Sequence, residues 1–254
     1  MATSSILQSR ARRWLGALLA VALSASSSLA DGVDDIVKAH LDAIGGRARV
    51  EALGSMRVTG TVFAGEKQAR FTMLAVRPNK VRVEFSEGTR TVVQATDGRT
   101  AWEYDSSEQR RYRDMPPSAA KTFVTDAEFD DPLVAGSARG FTIEDAGEVT
   151  DGGKRLKRLL VTKDLSTLFA LALDPDTLLI VTKTEERKNS LGTPVRTVTR
   201  FDDYRPVAGV LVPHHVSLTA GSRLVQDTRI STIEPNPPIN EGLFTRPAIQ
   251  LAPK

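Results

Sequence analysis

The chain has 254 residues, with 34 Lys and Arg against 31 Asp and Glu, three His and no Cys. Without cysteine there are no disulfides and no lipid-bearing N-terminal cysteine, so the fold has to rest on its core and its hydrogen bonds. The net charge of +3 resides in the N-terminus: residues 1–30 hold three arginines and no acid, which leaves 31 charges of each sign in residues 31–254 and no electrostatic ground for nucleic-acid binding.

Residues 1–30 read as a secretory signal peptide. Arg10, Arg12 and Arg13 precede an apolar run from Trp14 to Leu23, and Ser28-Leu29-Ala30 places small residues before a cut at Asp31. The run falls short of the roughly 18 apolar residues that a membrane span requires. Residues 31–254 are therefore expected to form one exported domain, soluble in the periplasm and without a lipid anchor.

That domain opens with a helix over residues 33–44, VDDIVKAHLDAI. Val33, Ile36, Val37, Leu41 and Ile44 recur near helical spacing, and Asp34 and Asp35 suit the first turn. Gly45-Gly46 stops it, and RARVEALG offers a second short helix. From Ser55 the pattern alternates as strands do, in MRVTGTVFA, ARFTMLAV, KVRVEF, TRTVVQAT and TAWEY, separated by RPN, SEG and TDG turns. Residues 114–140 break the rhythm. Pro116 and Pro117 can start a short helix through Phe123, and Asp130-Asp131-Pro132 would end it.

Strands resume from FTIEDAGEV at 141 to ISTIEP at 230–235, with LDPDT (173–177) as a hairpin turn and LFALAL (168–173) as a central strand apolar on both faces. The tail is proline-rich and extended. Two N-terminal helices, about ten or eleven strands and one helical excursion make an α+β fold with a dominant antiparallel sheet.

Chemistry-bearing motifs are scarce. The chain has no G-x-S-x-G elbow, no Walker loop, no G-x-G-x-x-G and no H-E-x-x-H. His214 and His215 are adjacent on a strand and point to opposite faces, which argues against a shared metal. His40 lacks a ligand at helical spacing and reads as a surface residue. DAEFDD (126–131) lacks the ligand spacing of a calcium loop and reads as a solvated acidic face. No cofactor and no metal are expected, and nothing points to an enzyme.

Several stretches, in order, resemble the LolA family of outer-membrane lipoprotein-sorting proteins. They are HLDAIGG (40–46), MRVTGT (56–61), RPNKVRVE (77–84), DGRTAWEYD (97–105), FDDPLV (129–134), GVLVPHHVSL (209–218) and ISTIEPNPPINEGLFTRP (230–247). The resemblance implies a curved antiparallel β half-barrel with helices over its concave face, enclosing an apolar cavity for acyl chains. With the strand phases, it makes Val58, Phe71, Met73, Val81, Val83, Phe85, Val93, Trp102, Phe169 and Leu171 the candidate lining. It also implies that Arg77, in the R-P-N turn, is a latch that ties the sheet to its helical lid. The chain departs from LolA in its length and in its 114–140 segment, and the surfaces that contact partners do not match.

The expected function is a monomeric periplasmic carrier of lipid or lipoprotein acyl chains that works with a membrane-bound delivery partner. A protein-interaction or envelope-stress sensor module on the same scaffold is the second expectation, favoured by a tightly packed concave face. An enzyme of unrecognised type is the third, favoured by a pocket of strongly perturbed titratable groups.

Overall fold

The structure is a computed structural model that describes residues 24–108, 112–163, 167–188 and 192–248; the charged and apolar regions of the expected signal peptide, residues 1–23, lie outside the described residues. The first helix, α1 (Ser24–Ala43), contains all of the expected 33–44 segment but its last residue, Ile44, and α2 (Arg47–Ala52) follows. Gly45 makes the turn between them at φ 129°. A Cβ there would fall 2.2 Å from the Gly209 carbonyl oxygen, so only glycine lets the helix end rest on the hairpin around Gly209.

Two meanders build the sheet. The first comprises β1 (Ser55–Ala64), β2 (Lys67–Val76), β3 (Lys80–Glu87), β4 (Arg90–Thr96), β5 (Ala101–Asp105) and β6 (Tyr112–Asp114). The second comprises β7 (Phe141–Asp151), β8 (Lys154–Lys163), β9 (Thr167–Leu173), β10 (Ile180–Lys188), β11 (Pro194–Val207), β12 (Val210–Ala220) and β13 (Arg223–Pro235). They join through antiparallel pairing of β1 with β13, giving one sheet of thirteen strands in the order β6-β5-β4-β3-β2-β1-β13-β12-β11-β10-β9-β8-β7. The tally exceeds the expected ten or eleven. One strand not anticipated is β6, three residues long and too short to show alternation.

Because β6 and β7 are the two edges of the sheet, residues 115–140 must connect one edge to the other. They do so through α3 (Pro117–Asp126), α4 (Pro132–Ala135) and a 3-10 turn at Ser137–Arg139. Leu133 of α4 is buried with Phe141, Leu159, Val161, Phe169 and Leu171, and Ile36 and Val37 of α1 pack on that cluster. A second cluster joins Leu41 of α1 and the following Ile44, with Val50 and Leu53, to Val210 of β12. The face of the sheet under these helices is called inner below. Burial of these side chains supplies the drive for docking, at roughly 25 cal/mol per Å² of apolar surface.

Candidate functional site

Residues directly opposite on paired strands share a face of the sheet, so the register assigns each predicted lining residue. Val58 lies opposite Ile233 and Met73, Met73 opposite Val83, and Phe71 opposite Phe85. Val81, two residues from Val83, falls in the same phase, so these six predicted residues share the inner face. Val58 and Phe71 are buried, whereas Met73, Val81, Val83 and Phe85 are only half-buried. The half-buried strip continues across the β1–β13 seam to Ile230, Ile233, Val216 and Phe201. Phe201, Val216 and Leu218 floor a cavity of about 280 Å³ whose walls include Asp126, Lys183 and Glu185. These floor residues were missed because VRTVTRF and HHVSL alternate too irregularly to fix their phase.

Four predicted lining residues fall elsewhere. Phe169 and Leu171 are on the inner face, but at 5% and 2% exposure they are sealed beneath α1 and α4. Val93 and Trp102 are on the opposite face, since Val83 pairs with Gln94 and Ala95 with Trp102. There the indole Nε1 donates to the Phe244 carbonyl at 2.9 Å, and the C-terminal tail covers the ring. The adjacent valines 92 and 93 offer an apolar residue to either face, so alternation alone could not choose between them.

On that outer face the tip of the β7–β8 hairpin curls over the sheet. Asp151 accepts from Arg200 Nη2 at 2.5 Å, although β7 and β11 are four strands apart, roughly 19 Å on a flat sheet. The fold-over creates a depression of about 520 Å³ that includes Leu160, Ala170 and the 58% exposed Leu168. LFALAL is thus packed on its inner face and partly open on its outer one.

Arg77 is the hub of the inner face. Its Nη1 donates to Asp130 Oδ2 at 2.5 Å, and its Nη2 donates to the carbonyls of Val50 (2.7 Å) and Leu53 (3.0 Å). The guanidinium lies 4.9 Å from the centre of the Phe129 ring, and the Phe129 amide donates to the Pro78 carbonyl. One side chain thereby joins the β2–β3 turn to α2 and to the segment crossing between the sheet edges. Burial raises the Asp130 pKa above 3.8, the charges of Asp131 and Glu128 add to the rise, and Arg77 opposes it.

The neighbouring acids make further ties. Glu128 pairs with Arg139 at 2.9 Å and with Lys163 of β8 at 2.5 Å. Asp131 caps α4, accepting the amides of Leu133 (2.8 Å) and Val134 (3.1 Å), and its other oxygen meets His40 Nε2 at 3.3 Å. His40 is 2% exposed, which corrects the surface reading, and its Nδ1 contacts the Leu178 carbonyl at 2.7 Å. The acidic run is likewise no solvated face: Glu128 binds Arg139 and Lys163, Asp130 binds Arg77, and Asp131 binds α4 and His40. The histidine pair divides as expected. His214 is inward and buried, and His215 is outward against Asp227 at 3.0 Å. Among the described residues no group of three or more His, Cys, Asp or Glu could hold a metal ion.

No family model and no curated protein matches the sequence. Solved structures do match the fold. A LolA superfamily protein from Nitrosomonas europaea is 12% identical with a TM-score of 0.52, the match covering 78% of this chain and 96% of that one. A domain from Vibrio parahaemolyticus named as an outer membrane lipoprotein-sorting protein is 12% identical with a TM-score of 0.55, covering 82% and 95%. A DUF1329 family protein from Desulfovibrio piger is 13% identical with a TM-score of 0.56, covering 82% and 97%. At these identities the likeness speaks for architecture: an open antiparallel sheet with helices over one face, the LolA-like fold.

Proposed function

We propose that this chain is a periplasmic carrier, and not an enzyme, which holds acyl chains of lipids or lipoproteins against the inner face of its sheet. The observation that carries the reading is the half-buried apolar strip from Val83 through Met73 and Ile233 to Val216, beside the cavity over Phe201 and Leu218. Apolar side chains left half-exposed on the face that carries the helices suit an aliphatic ligand. Each methylene drawn from water contributes about 0.8 kcal/mol, before the cost of association. In this reading Met73, Val81, Val83 and Phe85 with Phe201, Val216 and Leu218 form the walls. Residues 115–140 are the lid.

Arg77 then acts as the latch. Its ties to Asp130 and to α2 are polar, so water can replace them on opening, and its Nε is already buried without a hydrogen-bond partner. Residues 1–30 serve as the export signal, and the exported monomer delivers its ligand to a membrane-bound partner. Among the described residues no helix is long and apolar enough to cross a membrane.

Native mass spectrometry of the protein purified from the periplasm, with organic extraction of any added mass, tests the reading. A stoichiometric phospholipid or acylated peptide is expected. A protein that remains free of ligand after incubation with lipid vesicles refutes it. That result would favour an interaction module using the outer depression, where Leu168 is exposed.

A further inference from the structure

His40 has two neighbours that only accept hydrogen bonds. The Leu178 carbonyl, 2.7 Å from Nδ1, requires a proton on that nitrogen. The Asp131 carboxylate, 3.3 Å from Nε2, requires a second proton, on the ring or on the acid. One titrating proton therefore holds the pair together. If it is lost, the Nε2 lone pair faces a carboxylate, and attraction becomes repulsion.

The same carboxylate organises the lid. Asp131 Oδ1 accepts the first amides of α4, and Leu133 of that helix sits in the core at 1% exposure. The proton thus links α1, the lid and the β9–β10 turn at a single point. We propose that His40 and Asp131 form a proton-dependent catch that keeps residues 115–140 closed and releases them as the pH rises. The catch rests on the reading of that segment as a lid, and it adds what controls it.

The surrounding charges are accounted for. On the lid, Asp130 pairs with Arg77, and Glu128 with Arg139 and Lys163. From β11, the Tyr204 hydroxyl donates to the Ile180 carbonyl, and burial, with the charges of Asp131 and Asp202, raises its pKa. In the β9–β10 turn, Asp174 and Asp176 are engaged by Lys154. Asp34, Asp35, Lys38 and Asp42 of α1 are exposed to solvent. Burial opposes a charged His40, but the hydrogen bond and charge of Asp131 outweigh it and, with the Leu178 carbonyl, hold the imidazole pKa above 6.5. A folded pKa raised in this way gives stabilisation that is complete below pH 6.5 and is lost as pH rises through the folded value.

The test follows amide exchange at Leu133 and Val134 from about pH 5.5 to about pH 9, corrected for base catalysis, with the His40 ring titrated by NMR in the same samples. Protection is expected to fall as the ring loses its proton, by about tenfold for each unit by which closure raises the His40 pKa. Asp131→Asn retains a capping oxygen and removes the charge. It should bring the His40 midpoint below 6.5 and abolish the fall in protection with rising pH. A wild-type midpoint at or below 6.5, or protection that stays constant while the ring titrates, overturns the catch. Should Asp131→Asn fail to fold, the wild-type titration alone decides. No ligand enters the measurement, so failure here leaves the carrier reading intact, and absence of bound lipid leaves the catch intact.

Discussion

Replacing Arg77 by leucine is expected to destabilise the protein by about 3 kcal/mol at pH 8, the lower end for breaking a buried ion pair. The lower end applies because the side chains of Arg77 and Asp130 retain 25% and 17% exposure, which lets water soften the loss. The carbonyls of Val50 and Leu53 lose a charged donor at the same time. The cost has a built-in limit, since the Asp130 pKa already lies above its ordinary value and rises further without the guanidinium. A carboxyl with a raised folded pKa stabilises when protonated and loses that contribution as pH rises through the folded value. The destabilisation should therefore be smaller at pH 5 than at pH 8. Urea unfolding followed by Trp102 fluorescence at both pH values measures it. Arg77→Lys keeps the charge but lacks a fork that reaches both carbonyls and the carboxylate, so about half the loss is expected. A leucine variant within about 0.5 kcal/mol of wild type at both pH values would refute the reasoning.

Gly45→Ala should cost about 3 kcal/mol or more, because the new methyl group meets the Gly209 backbone; Gly32→Ala, with open space around it, serves as the control in thermal melts. Trp102→Phe removes the bond to the Phe244 carbonyl at a cost of about 1 kcal/mol, and limited proteolysis should then cut the tail at residues 241–247 sooner. Val83→Gln should leave the melting temperature nearly unchanged, given that position's partial exposure, while reducing lipid recovered by extraction; equal recovery would remove Val83 from the proposed wall.

The sheet was legible in the sequence because each strand carries its own period. MRVTGTVFA, ARFTMLAV and KVRVEF alternate clearly, and their six predicted wall residues share a face. Where alternation failed, so did the assignment: Val92-Val93 left β4 ambiguous, and Trp102 went with it to the face under the tail. Arg77 was singled out through its motif, but its contacts come from residues 24, 27 and 53 positions away, beyond any local pattern. His40 shows the limit most plainly. On its own helix it looks like an isolated polar residue, and its partners are 91 and 138 positions distant. A run such as EFDD has the same composition whether water or other parts of the fold bind it.

The seam between β1 and β13 carries a consequence for how the molecule comes into being. Arg57 and Glu234, paired across it, are separated by 177 residues, so the first strand to emerge waits for the last before its free edge is filled. Until then the inner apolar strip lacks its middle, and each half presents an open strand edge able to pair with another chain. A polypeptide threaded across a membrane N-terminus first would thus remain unable to close its sheet until nearly all of it had crossed. Delayed closure exposes the unfinished sheet to aggregation, which makes the seam the place where helper proteins would have most to protect.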